Sequence, residues 1–234
     1  MLRCTLLTFG LFWIACGHLH GELVNYNESI DDDLSDNHLG PTKLPESLQN
    51  LSVGTHTITG KLVNDLGPNS EIDFWTISIG PDTALTSITI DRYDTTYSPP
   101  GNGGFFGVQT GAEISSKTDA SALLGAALVG INPGSGVNDD VLDDLGALFE
   151  FPVPGANVVS GFEGSLGEGI YSFWFQEGDF TPDTDPVGTA SPNDEVEYQL
   201  SFEVSVVPEP STSVMMLGAI GLVGWLRRSR SLKA

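Results

Sequence analysis

Apolar and polar residues alternate along much of the segment between positions 51 and 207, and this pattern predicts a protein built from β-strands. In the clearest case, 196–206, six apolar residues at every second position face one way. Polar residues, mainly Glu and Ser, face the other way, as in a strand with one side on an apolar core and one in water. A second strand is predicted at 169–176, where aromatic residues alternate in the same manner.

Three further strands are predicted at 56–62, 74–79 and 85–91, and the last two are expected to pair through the turn sequence Gly80-Pro81-Asp82. Residues 120–131 fit a helix by propensity, but their Gly boundaries favour a strand at 123–131. Short, regularly spaced strands without alternating helices indicate an all-β fold, an antiparallel, jelly-roll-like β-sandwich. We place this domain at 51–207, preceded by an acidic N-terminal segment at 22–50.

Two apolar stretches lie outside this pattern. Residues 1–21 have the features of a signal peptide, with Arg3 before an apolar run and small residues after it. A lipid-modified Cys16 is an alternative for this leader. Near the other end, the apolar run 214–226 would form a helix of only ~20 Å against a hydrocarbon core of ~30 Å. We expect a single transmembrane helix there, held by a basic stop at 227–234.

The segment 208–234 resembles the PEP-CTERM sorting signal of Gram-negative bacteria. The resemblance rests on three features, namely the motif at 208–210, the short Gly-containing apolar helix and the basic cluster. It implies that exosortase, a membrane-embedded transpeptidase, processes the chain near the motif. It also implies an exported protein, with an inner-membrane intermediate and then a place in the envelope, at the outer surface or outside the cell. The residues concerned are Pro208, Glu209 and Pro210 as the sorting motif and Arg227, Arg228 and Arg230 as the membrane stop.

A second resemblance concerns the middle of the chain. The segments Asn25-Tyr26-Asn27-Glu28, Glu71-Ile72-Asp73-Phe74-Trp75 and Tyr171-Ser172-Phe173-Trp174 are similar in order to those of bacterial pre-peptidase C-terminal domains. These domains are β-sandwiches that act as accessory or binding modules. The resemblance therefore implies a non-catalytic domain over residues 24–206.

The charge distribution excludes one class of partner. Between residues 22 and 213 only four basic residues stand against all 31 acidic residues of the chain. Such a surface repels the phosphates of nucleic acids, so we expect no nucleic-acid binding.

Residue types suited to catalysis are few, and we expect no enzymatic activity. Cys4 and Cys16 both lie in the leader, which leaves the domain without a thiol nucleophile. Gly-x-Ser-x-Gly and His-Glu-x-x-His motifs are absent, and only His38 and His56 follow the leader. A hydrolase that uses two carboxylates remains an alternative in so acidic a chain.

Two acidic clusters are candidate Ca²⁺ ligands, because Ca²⁺ prefers six to eight oxygen ligands. One contains Asp31 and Asp33, and the other contains Asp139 and Asp140. Neither has the spacing of a calcium-binding loop, so solvated acidic loops are the alternative. We expect no other cofactor.

Aromatic residues in a Gly- and Pro-rich segment are candidate ligand-binding groups. Tyr93 and Tyr97 lie just before the segment 98–105 and could present rings to a sugar, or could anchor the loop on the core. The function expected from the whole sequence is that of an exported, non-enzymatic envelope protein associated with extracellular polysaccharide or the outer surface. A carbohydrate- or Ca²⁺-binding module is the alternative.

Overall fold

The structure is a computed structural model. It describes residues 23–46, 49–64, 71–95, 104–116, 120–129, 136–146, 149–150, 158–159, 161–162, 164–177 and 194–207. The strands are β1 Asn25–Asn27, β2 Thr42–Lys43, β3 Gly54–Asn64, β4 Ile72–Ile79, β5 Thr83–Thr95, β6 Gly104–Thr110, β7 Gly125–Val129, β8 Phe149–Glu150, β9 Val158–Val159, β10 Gly169–Glu177 and β11 Asp194–Val206. The helices are α1 Glu28–Asp31 and α2 Val141–Gly146, with a 3-10 turn at Ala120–Ala122.

The strands form two large sheets that share one apolar core, as the sandwich prediction requires. One sheet has the order β1-β3-β11-β5 and the other the order β2-β4-β10-β6-β7, while β8 and β9 pair separately. Strands of both large sheets contribute side chains to the same buried cluster. The long pairs β11–β3, β11–β5, β10–β4 and β10–β6 are all antiparallel, but the short edge pairs β1–β3 and β2–β4 are parallel. The sheets are therefore mixed, whereas the sequence led us to expect antiparallel pairing throughout.

Trp75 of β4 lies at the centre of the core and is fully buried. Its ring stacks on Phe173 of the neighbouring strand with centroids 5.6 Å apart, and it meets Phe202 of the opposite sheet edge-on at 6.4 Å. Buried aromatic contacts of this kind contribute strongly to core stability, and truncation of such a residue to Ala typically costs about 3–5 kcal/mol. Trp75 therefore packs against aromatic side chains of both sheets.

A second, smaller apolar cluster covers the outer face of the five-stranded sheet. Phe74, Phe105 and Trp174 point to this face, and Ile114 and Leu123 from the connecting segments pack on them. All eight residues of β4 are consequently buried, since both of its faces are covered. A polar side chain on β4 must find its partners inside the protein.

The strand predictions at 56–62, 169–176 and 196–206 are confirmed as β3, β10 and β11. Phe105, placed by the sequence pattern in a loop, is instead a fully buried residue of β6. The segment predicted as a strand at 123–131 contains β7 over Gly125–Val129.

The predicted pairing of residues 74–79 with 85–91 is wrong. The segments form strands β4 and β5, but they belong to different sheets, so the turn at 80–82 crosses from one sheet to the other. Turn composition does not distinguish this connection from a hairpin. The difference follows from the inward side chains of both strands, which fill the space between the sheets.

The described part of the N-terminal segment, residues 23–46 and 49–50, is integrated into the sandwich, since β1 pairs with β3 and β2 pairs with β4. His56, only 1% exposed, links the two regions further. Its Nδ1 accepts a hydrogen bond from the Val24 amide at 3.0 Å, and its Nε2 lies 2.9 Å from the Ser52 carbonyl oxygen. The carbonyl requires a donor, so the hydrogen of the neutral ring is on Nε2.

The predicted signal peptide and the predicted C-terminal helix lie outside the described residues. Within the described part of the chain, neither helix has the length and apolar character needed to cross a membrane.

Candidate metal centre

Asp73 is the one acidic residue of β4, and it points inward between the two sheets. Trp75 and Ile77, which lie on the same face of the strand, belong to the main core, and Asp73 itself is 0% exposed. Tyr198 of the opposite sheet donates its hydroxyl hydrogen to Asp73 Oδ2 at 2.5 Å. Among the described residues, Asp73 Oδ1 has no hydrogen-bond partner. A buried carboxylate oxygen without a partner destabilises the folded state, so a ligand at this atom would be stabilising.

Glu28 lies beside Asp73 and is held in place by the backbone. It begins α1, which follows β1 directly, and its Oε1 accepts a hydrogen bond from the Leu34 amide at 3.1 Å. Its Oε2 accepts one from the Lys61 amide of β3 at 2.6 Å. The parallel β1–β3 pair brings these groups together, although Glu28 and Lys61 are far apart in sequence.

Gly60 of β3 allows this close packing. A Cβ atom at this position would lie 2.3 Å from Tyr198 Oη and 2.8 Å from Glu28 Oε2. Both distances are below any normal van der Waals contact, so a larger residue would push the phenol and the carboxylate apart. The glycine thus leaves the space in which the two side chains meet.

Three carboxylates converge at this point. Glu28, Asp33 and Asp73 each offer one oxygen, and the three oxygens all lie within 4.8 Å of one another. Asp33 is exposed, Glu28 is half-buried and Asp73 is buried, so the cluster runs from the surface into the core. Among the described residues, the ion pairs join Lys61 or Arg92 to other acids, and none reaches these three.

The cluster holds its carboxyl pKa values high. Burial raises the pKa of Glu28 to about 7, although the two backbone hydrogen bonds act in the opposite direction. Burial, followed by the charge of Asp33, raises the pKa of Glu71 to about 7. The pKa of Asp73 is raised well above its ordinary range by burial and then by the charge of Glu28. Desolvation, followed by the charge of Asp36, also raises the pKa of Asp33.

The repulsion between these crowded carboxylates can be relieved in two ways. The carboxyl groups can hold protons, or a cation can take the place of those protons. Hard cations such as Ca²⁺ and Mg²⁺ bind carboxylate oxygens, and Ca²⁺ accepts a large and irregular set of ligands. The three converging oxygens and the unpartnered Asp73 Oδ1 suit such an ion.

A cavity of about 500 Å³ adjoins the cluster. Asp33 belongs both to the carboxylate cluster and to the wall of this cavity. Tyr26, Asp31 and Lys43 also line it. The cavity therefore gives solvent and small ions a path to the exposed side of the cluster.

The predicted metal ligands separate into different environments. Asp33 lies in the cluster, whereas Asp31 lines only the adjoining cavity and accepts a hydrogen bond from the Asn27 amide at 2.8 Å. Asp139 accepts one from the Gly136 amide at 2.6 Å. Asp140 accepts hydrogen bonds from the Leu142 and Ile88 amides, both at 3.0 Å, and thus ties the start of α2 to β5.

The sequence reasoning missed Glu28, Asp73 and Tyr198 as site residues. One signal was present, because Asp73 is a charged residue in an otherwise apolar and aromatic strand, at the same parity as Trp75. No local pattern could indicate its neighbours, since Glu28 and Tyr198 come from distant parts of the chain.

Of the two predicted ligand-binding tyrosines, the structure describes Tyr93. Tyr93 is 9% exposed and belongs to the main core, where its ring packs on Phe175 with centroids 6.4 Å apart. Of the two roles considered for it, the anchor matches this position. Tyr97 lies outside the described residues, as do Pro208, Glu209, Pro210, Arg227, Arg228 and Arg230.

Comparison with known proteins identifies the end of the chain. Residues 206–231 match the family model of the PEP-CTERM protein-sorting motif. No curated protein and no solved structure matches the chain. The C-terminal region of the chain thus carries a PEP-CTERM protein-sorting motif, and the match supports exosortase-dependent sorting of an exported protein. The matched segment starts at Val206, the last residue of β11.

Proposed function

We propose that this protein is an exported, non-enzymatic β-sandwich module that binds one divalent cation, with Ca²⁺ as the favoured ion. The sorting motif delivers it to the cell envelope or the cell exterior, where extracellular polysaccharide is the proposed partner. One observation carries the binding function: Glu28, Asp33 and Asp73 bring three carboxylate oxygens within 4.8 Å of one another. The unpartnered Asp73 Oδ1 supports the same function.

The position of the cluster favours an ion over a substrate. A pair of carboxylates that cleaves a glycosidic bond must flank the bond, and the sugar must reach both groups. Asp73 is 0% exposed and touches Tyr198 on its inner side, so a sugar ring has no room between it and its neighbours. A single ion reaches the same oxygens from the side of Asp33. This is why we favour a binding module over a carboxylate-dependent hydrolase.

The surface charge favours a role for cations as well. The negative charges of the protein repel one another and also repel acidic polymers. Bound divalent ions reduce this repulsion. A module that carries one ion could contact an acidic polysaccharide through it.

Isothermal titration of the metal-free protein with CaCl₂ tests the binding function. We expect one saturable binding event, lost in Asp73→Asn and strongly weakened in Glu28→Gln. Asp139→Asn, which removes a carboxylate outside the cluster, is the matched control and should bind as the unaltered protein does. Absence of saturable heat in the unaltered protein, or equal binding by Asp73→Asn, would contradict the proposed site.

Mass spectrometry of the mature protein from its host tests the sorting function. Processing near Pro208-Glu209-Pro210 predicts no peptides beyond about residue 210. Recovery of intact peptides from 227–234 in most of the cellular pool would contradict processing. This outcome is independent of cation binding.

A further inference from the structure

Strand β11 ends at Val206, directly before the sorting motif, and we call this end of the sandwich the Val206 end. Gly54, where β3 begins, pairs with Val204 of β11, and Gly169, where β10 begins, pairs with Ile79 of β4. The turn from β4 to β5 lies at the same end, since it joins Ile79 to Thr83.

Exposed apolar side chains are concentrated at this end. Among the described residues, eight large hydrophobic side chains are exposed, and five of them lie here: Leu23 62%, Val53 51%, Ile170 38%, Val206 61% and Val207 45%. The β1–β3 register explains the position of Leu23, because Leu23 precedes β1 and reaches the start of β3. A Cβ on Gly54 would lie 3.4 Å from Leu23 Cδ2. Several exposed aliphatic residues at one end of a strongly acidic protein indicate a contact surface.

The chain is fixed to the sandwich until just before the sorting motif. The Val207 amide donates a hydrogen bond to the Asp82 carbonyl oxygen at 2.8 Å, so the fold holds the backbone up to residue 207. The apolar run 214–226 begins seven residues later. Seven residues extend at most ~25 Å, and less where prolines impose their own geometry.

This spacing limits how far the Val206 end can lie from a membrane. Each headgroup layer is about 5–8 Å thick, so a tether of at most ~25 Å reaches across it and lets the Val206 end rest on the headgroups. A strand of 13 residues such as β11 is ~43 Å long, which exceeds the reach of the tether. The Val206 end is the part of the sandwich that the tether keeps next to the bilayer.

We propose that the Val206 end is a membrane-contact surface that rests on the lipid headgroups while the run 214–226 is inserted. This inference rests on the proposed sorting function and on the transmembrane helix that the sequence predicts at 214–226. The surface is aliphatic, and the exposed residues Asp82 and Glu168 add negative charge. Zwitterionic lipid is therefore the favoured surface, because anionic headgroups repel these carboxylates.

Site-specific fluorescence on the full chain in phosphatidylcholine vesicles tests this surface. Cys4 and Cys16 are replaced by Ser, and a single cysteine is introduced as Val53→Cys or Ile170→Cys. Leu39→Cys is the matched control, because Leu39 is also exposed, at 55%, but lies away from this end. Each variant carries an environment-sensitive dye, and iodide in the buffer serves as the quencher.

We expect a blue shift of the dye emission and reduced iodide quenching at positions 53 and 170, with neither effect at position 39. Flotation of the vesicles in the same samples reports whether the chain is anchored. Equal quenching at all three positions in a chain that floats overturns the membrane-contact surface and leaves the anchoring intact. A chain that does not float overturns the anchoring and the contact surface together.

Discussion

Tyr198 and Asp73 join the two sheets through a hydrogen bond of 2.5 Å that lies wholly inside the protein. The bond positions the Asp73 carboxyl group beside Glu28 and Asp33, and the second oxygen of Asp73 has no hydrogen-bond partner among the described residues. A polar contact in the core thus connects the stability of the sandwich with the proposed binding of a cation.

Loss of this hydrogen bond should destabilise the protein. Tyr198→Phe leaves the Asp73 carboxyl buried with no phenol to donate to it, and such a loss costs about 1–3 kcal/mol in the free energy of unfolding. Chemical denaturation in the presence of a chelator measures this quantity. Tyr171→Phe is the control, since the Tyr171 hydroxyl bonds a carbonyl oxygen, that of Gly167, in a more exposed place. Equal effects of the two substitutions would count against a special role for the Asp73 contact.

The position of Gly60 allows a second test of the same contact. Gly60→Ala would place a methyl group against Tyr198 Oη and Glu28 Oε2, and we expect a loss of about 1–3 kcal/mol of stability, as for other overpacked cores. Affinity for Ca²⁺ should fall in parallel, because Glu28 is displaced.

Gly167→Ala is the control for this substitution, because a Cβ at Gly167 meets nothing within 4 Å. Thermal unfolding and Ca²⁺ titration of both variants are the measurements. A Gly60→Ala protein with unchanged stability and affinity would show that the space around Gly60 is not needed.

Much of the fold could be predicted from the sequence, because one-sided burial leaves a visible alternation, as in β11. The placement of β4 and β5 in different sheets could not be predicted, because the turn Gly80-Pro81-Asp82 is compatible both with a hairpin and with a connection between sheets. The candidate site was only partly predictable. Asp33 stands in an acidic run that composition reveals, whereas its partnership with Asp73 depends on the packing of β1 and α1 against β3.

The metal-free protein should become less stable as the pH rises from about 4.5 to about 7. The folded state raises the pKa of Glu28 from 4.5 to about 7, and that of Glu71 likewise, so it holds protons that the unfolded chain has already released. A bound cation replaces those protons. We therefore expect Ca²⁺ to raise the melting temperature more at pH 8 than at pH 5.

Differential scanning calorimetry with chelator and with CaCl₂ measures this dependence. Glu28→Gln should reduce both the pH dependence and the effect of Ca²⁺, while Asp139→Asn should leave the effect of Ca²⁺ unchanged. If Ca²⁺ raises the melting temperature by the same amount at both pH values, the ion does not compete with protons at these carboxylates.

His56 should give the opposite pH dependence. Burial lowers the pKa of the imidazole, so the unfolded chain takes up a proton at a higher pH than the folded protein does. Stability linked to His56 is present above pH 6.5, the ordinary pKa, and is lost as the pH falls below it. Protonation of Nδ1 would also remove the acceptor for the Val24 amide.

His56→Gln should therefore flatten the loss of stability as the pH falls below about 6.5. Chemical denaturation at several pH values measures it, with His38→Gln as the control, since His38 is not enclosed in the core. If His56→Gln retains the full acid dependence of the unaltered protein, the buried imidazole is not its source.

A crystal structure of the protein grown or soaked with CaCl₂, with an anomalous difference map, tests the central claim most directly. We predict one strong anomalous peak between the carboxylates of Glu28, Asp33 and Asp73, at Ca²⁺–oxygen distances of about 2.3–2.6 Å. A map with no peak there at saturating Ca²⁺, or with its peak at Asp139 and Asp140 instead, would contradict the account.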